Sequence, residues 1–320
     1  MKIAVILCTY NRFQSLAGTL ESLAASCMPV SVHWRVLVVD NNSNDQTRSV
    51  VEDFARRFAG RFEYLFEPRQ GKSYALNLGV QHADADVLCF VDDDVQVDPH
   101  WLERLSAALE DPQWSGGGGR ILPQVRFIPP RWLDTEERYA LAPLAIFDPA
   151  ISAGELRESP FGTNMAIRRE MFLKYGGFRM DLGPQPGGEI KNEDVEFGWR
   201  ILDAGERLCY VPDAVVYHSI PDHRVTKSYF LTWWYGKGRS EIRQSGVNGD
   251  HRLSALSVQL DFFGRLVVWT VRWLLAFHSA RRFSCKMRVW QLAGKIRECF
   301  AQSRKAHRIR ATQLPNEIKG

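Results

Sequence analysis

This 320-residue sequence predicts an α/β fold: a mainly parallel sheet flanked by helices, with a C-terminal helical extension. Three observations carry that reading. Over the first hundred residues, short apolar runs alternate with stretches whose apolar residues recur at helical spacing. Four of the apolar runs end in polar clusters at the same end of the strand. From residue 241 onward the chain reads as helical and basic, without such runs.

Ile3–Cys8 is a continuous apolar run, as suits a strand covered on both faces. Phe13, Leu16, Leu20 and Leu23 then follow at helical spacing, and Trp34–Val39 is a second strand. Val50, Val51, Phe54 and Phe58 mark the next helix, Phe62–Phe66 a strand and Ser73–His82 a helix. Asp86–Val91 is the fourth strand; Pro99 then opens a helix whose apolar face is Trp101, Leu102, Leu105 and Leu109. "WSGGGGRILP" gives a flexible entry to a further strand, with close backbone approach at Gly116–Gly119. Residues 122–160 are Pro-rich and irregular and read as a long loop or insertion. Regularity returns with Phe161–Phe178, an acidic helix start near Glu193, and the apolar stretch Leu208–Tyr217.

A composition of 45% hydrophobic and 24% charged residues excludes a disordered chain. The six cysteines form no CxxC pair, and three lie in apolar runs, which suits reduced thiols in the cytoplasm. Met1-Lys2 leads directly into "IAVILC", too short for a signal core, so no leader is expected. The net charge of +4 is unevenly spread: residues 281–320 carry +9, leaving −5 on the first 280. A basic tail on an acidic body points to an anionic surface.

The four polar clusters are "CTYNR" (8–12), "VVDNNSND" (38–45), "EPRQGKSYALN" (67–77) and the triplet Asp92, Asp93 and Asp94. Parallel strands bring all four to one sheet edge, where open α/β sheets bind ligands. One cluster alone would be turn chemistry, and an isolated Asp triplet a solvated turn. Four at one edge, with Arg12, Arg69 and Lys72 among them, read as a site.

In "TYNR", "VVDNNSND", "GKSYALNLGV", "FVDDDV", "FGTNMAIRREMF", "GGF" and "NEDVEFGWRI", residues 1–240 resemble the family 2 inverting glycosyltransferases of the GT-A type. The resemblance implies a Rossmann-like GT-A domain over 1–240, with a nucleotide-binding half (1–115) and an acceptor half (116–240), and an extension over 241–320. Two departures stand out: Leu76 where many relatives carry Arg, and "FGWRI" where processive members carry QxxRW, which argues against a multi-pass polysaccharide synthase.

By that resemblance the triplet is a DxD motif that holds Mn2+ or Mg2+ against the diphosphate of a nucleotide-sugar donor. A leaving diphosphate needs such a hard cation with oxygen ligands. Asp94 is the preferred ligand, with Asp92 and His218 as further ligands, while Asp92 and Asp93 are also placed with the nucleotide. His218 has a structural reading too. Thr9, Tyr10, Arg12, Asp40 and Asn41 resemble a uridine pocket; Lys72 contacts phosphate or steadies the triplet. Gly162, Thr163 and Asn164 fall where relatives bind donor sugar or acceptor. Val195, Trp199 and Leu202 share helical spacing, so Glu193 and Asp194 lie in a first turn, where the helix dipole favours an ionised carboxylate. Asp194 is the expected base and Glu193 its acceptor-binding companion.

"DFFGRLVVWTVRWLLAFHSARR" (261–282) is apolar but broken by Arg265 and Arg272, short of the roughly 20 apolar residues of a spanning helix. It reads either as an in-plane helix on an anionic membrane surface or as a core helix. The first would put the protein at the inner face of the cytoplasmic membrane. The expected activity is sugar transfer from a UDP donor to a glycan or lipid-linked acceptor in surface-polysaccharide synthesis. A phosphatase would need its DxD after the first strand, which instead ends in "CTYNR". A membrane or RNA adaptor leaves the Asp triplet and "NEDVEF" unexplained, and no nucleic-acid motif is present.

Overall fold

The computed structural model describes residues 1–137, 140–188, 190–245 and 255–313, with side chains described except at 255–259 and 305–313. Packing divides the chain into two units: Met1–Ile128, Glu137–Gly188 and Glu193–Val225 form one, and Pro129–Glu136, Glu189–Asn192 and Thr226–Gly320 the other.

The first unit is a mixed α/β layer. In chain order it runs β1 (Lys2–Thr9), α1 (Phe13–Ala24), β2 (His33–Asp40), α2 (Thr47–Arg57), β3 (Phe62–Phe66), α3 (Lys72–His82), β4 (Val87–Val91), β5 (Val95–Val97) and α4 (Trp101–Ala108). Then come β6 (Gly116–Pro123), β7 (Gly154–Leu156), β8 (Met165–Arg168), α5 (Arg169–Tyr175), α6 (Glu193–Asp203) and β9 (Leu208–His218). The sheet order is β3-β2-β1-β4-β8-β6-β9-β5, with β7 pairing β9. Strands β3, β2, β1 and β4 are parallel, as are β6 and β9; β8, β5 and β7 run antiparallel to their neighbours.

The central strands are apolar throughout because both faces are covered. Side chains alternate between faces, so Val5, Leu7, Val36 and Val38 meet Leu16, Leu20, Val51 and Phe54 on one side. On the other side Ala4, Ile6, Leu37 and Phe90 join Leu76, Phe172, Phe178, Phe197 and Ile201. Leu76, in place of the arginine of many relatives, is thus a core residue.

Three sequence expectations change. The four glycines belong to β6 itself: a Cβ at Gly117 or Gly119 would overlap the backbone oxygens of Cys209 or Ala214, so β9 can pack there only on glycine. Residues 122–160 are not wholly irregular, since β7 and an Ile121–Phe147 bridge add to the sheet. Helix α4 starts at Trp101, after the short strand β5, and not at Pro99.

The second unit contains α7 (Lys227–Ser245), α8 (Ala255–Leu275) and α9 (Ser279–Gln313). Gly238 and Gly294 let the backbones of α7 and α9 touch; a Cβ at either would strike the other helix's main chain. Trp132 packs edge-on to Phe230 and Phe283. One face of α8 lies on α9, with Trp273 edge-on to Trp290 and Phe263 to Phe300. Leu260, Val267, Val268, Val271, Leu274 and Leu275 stay exposed, Val267 at 63%. Trp273 therefore belongs to the packed face, and the bare stripe is mainly aliphatic, with Phe263 still 42% exposed. Among the described residues, no helix is long and apolar enough to cross a membrane.

Candidate active site

Register explains how residues so far apart meet. Thr9 pairs with Asp40 and Leu7 with Val91, so the ends of β1, β2 and β4 are level and Asp92–Asp94 begin where β4 stops. Strand β8 runs against β4 with Phe90 opposite Met165, which delivers the 3-10 turn Gly162–Asn164 to the same edge. Strand β9 runs against β5 with Val95 opposite His218, which brings His218 beside the triplet.

Each carboxylate of the triplet has a different set of partners. Asp92 accepts from Lys72 Nζ at 2.6 Å and from Thr163 Oγ1 at 2.6 Å. Burial works against its charge, yet Lys72 and the Thr163 hydroxyl together hold the carboxyl below the usual range. Asp93, 5% exposed, accepts from Thr9 Oγ1 at 2.8 Å and from Arg12 at 3.1 Å. There burial wins over Arg12 and pushes the carboxyl up to about 6. Asp94 faces Arg12 at 3.0 Å, Arg224 at 3.2 Å and His218 Nε2 at 3.4 Å. Against the pull of burial, His218, Arg224 and Arg12 hold Asp94 well below the carboxylate range. Three buried like charges are tolerable because each lies against a cation.

The acid pair on α6 sits at the other side of the same turn. Asp194 accepts from the Gly162 N–H at 2.6 Å and from the Val195 N–H at 2.8 Å. A Cβ at Gly162 would lie 3.0 Å from Asp194 Cβ and Oδ2, so a larger residue there would push the Asp194 side chain by a few tenths of an ångström. Glu193, 3% exposed, lies 3.6 Å from Lys72 Nζ. Burial, then the charge of Asp194, push its carboxyl up to about 7 against the opposing Lys72. Lys72 thus bridges both acidic groups: burial disfavours its charge, but Asp92 and Glu193 raise its pKa well above the usual value.

The remaining expected residues divide by where their polar atoms go. Asp40 accepts from the Ser43 N–H and from Tyr64 Oη, each at 2.8 Å, and shapes the turn after β2. Asn41 donates to the Glu67 and Arg69 carbonyls and accepts from the Gly71 N–H, tying the β3–α3 loop in place. Tyr10 is exposed at the edge. Asn164 turns away: it accepts from Trp101 Nε1 and donates to the Arg120 and Ala214 carbonyls, so its amide is spent on the sheet. Arg69 is engaged by Glu67 through two guanidinium nitrogens.

Sequence reasoning missed Arg224 and Tyr64. Arg224 lies in the short turn Asp222–Arg224, 130 residues from its partner Asp94, and only its place six residues after His218 hinted at it. Tyr64 reads as an ordinary strand aromatic.

The donor set for a divalent cation is small. Both Asp92 oxygens are taken by Lys72 and Thr163, while Asp94 and His218 stand 3.4 Å apart with Arg12 and Arg224 against Asp94; these two are the candidate ligands. Among the described residues no three His, Cys, Asp or Glu side chains are grouped to hold a metal. Two protein ligands still fit a hard cation that completes its shell with substrate phosphate oxygens and water.

Residues 4–176 match the family described as "Glycosyl transferase family 2". The succinoglycan biosynthesis protein ExoM of Rhizobium meliloti is 28% identical over 247 residues, 76% of this chain and 75% of that protein. The glucosyl-dolichyl phosphate glucuronosyltransferase of Haloferax volcanii is 28% identical over 243 residues, 74% of this chain and 75% of its own length. Among solved structures, a mannosyltransferase from Pyrobaculum calidifontis, in complex with GDP-Man and Mn2+, superposes with a TM-score of 0.64 at 17% identity, over 94% of this chain and 87% of that one. GalNAc-T7 with UDP, GalNAc and Mn2+ gives 0.56 at 18% identity, over 77% and 51%. At such identities these likenesses establish the fold, the GT-A type.

Proposed function

The chain belongs to glycosyl transferase family 2 and is a glycosyltransferase, and from that premise we propose an inverting, metal-dependent transfer of a sugar from a UDP donor to a glycan or lipid-linked acceptor in surface-polysaccharide synthesis. One observation carries the reading. The turn Gly162–Asn164 holds both acidic groups, Asp92 through Thr163 and Asp194 through the Gly162 N–H, at 2.6 Å each. A donor diphosphate at the triplet and an acceptor hydroxyl at Asp194 would then share one short cleft.

In this reading Thr9, Tyr10, Arg12 and Asp40 form the uridine side of residues 1–115, with Asn41 bracing the β3–α3 loop beside them. Residues 116–240 supply the acceptor side. Lys72 and Arg12 offset phosphate charge, while the Gly162 and Val195 N–H groups orient Asp194. The acceptor oxygen attacks the anomeric carbon on the face opposite the diphosphate, and its proton passes to Asp194. The new glycosidic bond forms as the sugar–phosphate bond breaks, which inverts the anomeric centre and releases UDP. A divalent cation held by Asp94 and His218 would supply further charge neutralisation at the leaving diphosphate. Glu193 positions the acceptor beside Asp194.

The bare aliphatic stripe of α8 supports a peripheral site on an anionic membrane. Arg265 and Arg272 border the stripe, and residues 281–320 carry +9. Asp194→Asn tests the chemistry. Turnover should fall by roughly two to four orders of magnitude with UDP affinity unchanged; loss of UDP affinity would assign Asp194 to the donor pocket instead.

A further inference from the structure

Arg224 stands where a cation would. Its guanidinium places one nitrogen 3.2 Å from Asp94 Oδ2 and another 3.4 Å from His218 Nε2, while His218 Nε2 lies 3.4 Å from Asp94 Oδ1. One guanidinium therefore spans the two side chains best suited to a divalent ion. The contact is sheltered, with the Arg224 side chain 16% exposed and that of Asp94 15%. Arg12 reaches the same Asp94 oxygen at 3.0 Å, but it is also held by Asp93 at 3.1 Å. Arg224 has no second carboxylate among the contacts of the described residues. It also comes from a three-residue turn, Asp222–Arg224, and not from a strand or long helix.

We propose that Arg224 is an internal cation that occupies the Asp94–His218 pair until a nucleotide diphosphate binds, and then moves onto the phosphates. The inference rests on the reading of Asp94 and His218 as cation ligands. A guanidinium and a divalent ion cannot both lie between those groups, so metal alone must displace Arg224 into water. With a diphosphate present, Arg224 gains phosphate oxygens, for which its planar fork is suited. Metal and nucleotide should thus bind as a pair, each weakly alone. The device would keep a carboxylate-lined site from collecting cations when no donor is at hand.

The test measures Mn2+ binding to the full chain without nucleotide, and separately UDP binding with Mn2+ saturating, in the parent protein, Arg224→Gln and Arg224→Lys. Thermal melts of the apo proteins confirm that the variants fold. Removal of one charge-assisted competitor should tighten Mn2+ alone by roughly ten- to a hundredfold in Arg224→Gln. UDP with saturating Mn2+ should weaken by a similar factor. Arg224→Lys, which keeps a charge but cannot span two groups, should fall between. Mn2+ binding as tight in the parent as in Arg224→Gln would overturn the proposal, and so would unchanged UDP affinity. Asp94→Ala serves as control. If it binds Mn2+ with UDP as well as the parent does, the underlying metal site is wrong and not merely the role of Arg224.

Discussion

Replacement of Lys72 by methionine perturbs the site at the point where its two acidic groups meet. Lys72 Nζ lies 2.6 Å from Asp92 and 3.6 Å from Glu193, and the side chains of Lys72, Asp92 and Glu193 are 25%, 24% and 4% exposed. Removal of one partner from a buried pair costs about 3–5 kcal/mol. Since Lys72 and Asp92 are each a quarter open to water, the lower end applies, roughly 3 kcal/mol near pH 8. That corresponds to a fall in Tm of roughly 6–12 °C.

The loss has a pH signature. Glu193 lies near 7 with Lys72 beside it, against 4.5 for an ordinary glutamate, and without Lys72 it rises further. A carboxyl raised in the folded state contributes stability that is present below the unfolded pKa and lost as pH climbs through the folded one. The deficit of Lys72→Met should therefore be full at pH 8 and shrink toward pH 5, as Glu193 takes up a proton. Urea unfolding of parent and variant at pH 5, 6.5 and 8 measures it. A deficit below about 1 kcal/mol at pH 8, or one that does not vary with pH, would refute the buried triad.

Gly162→Ala should press on Asp194, 3.0 Å from the new Cβ, and lower turnover by roughly tenfold with UDP affinity intact; kcat beside a UDP titration decides, and unchanged kcat would deny the Gly162–Asp194 contact a role. Val267→Glu with Val271→Glu should leave the Tm unchanged, since both sites are exposed, yet weaken binding to anionic vesicles on the order of a hundredfold. Salt should loosen the parent protein from those vesicles without releasing it, because apolar insertion is not screened. Vesicle binding equal in parent and double variant would leave α8 without a lipid role.

The fold was legible where physics writes it locally. Strands β1 and β4 are buried on both faces, so Ile3–Leu7 and Val87–Val91 are unbroken apolar runs, and the parallel order of β1 to β4 followed from the intervening helices. Strands β5 and β7 have three residues each, too few for a period to emerge. Strand β6 opens with four glycines, whose strand character comes from backbones that must approach on either side. At the site, the Asp triplet and Glu193-Asp194 stood out because charge at the end of a buried run is costly and needs a reason. The partners of those acids were less visible. Arg224 is a lone arginine in a loop, and only the β5–β9 register brings it to Asp94. Asn41 and Asn164 were read as ligand contacts because amides suit both ligands and backbone. Their hydrogen bonds show that here they brace a loop and a sheet.

The central claim is that the triplet edge binds a nucleotide diphosphate through a divalent cation. The most direct measurement is the thermal stabilisation of the full chain by UDP, with Mn2+ and with EDTA, in the parent and in Asp94→Ala. With UDP at about a hundred times its Kd, the parent should gain about 2.7 kcal/mol in Mn2+ and little in EDTA. Asp94→Ala should lose the Mn2+-dependent part. Equal stabilisation in EDTA and Mn2+, or an undiminished gain in Asp94→Ala, would contradict the account.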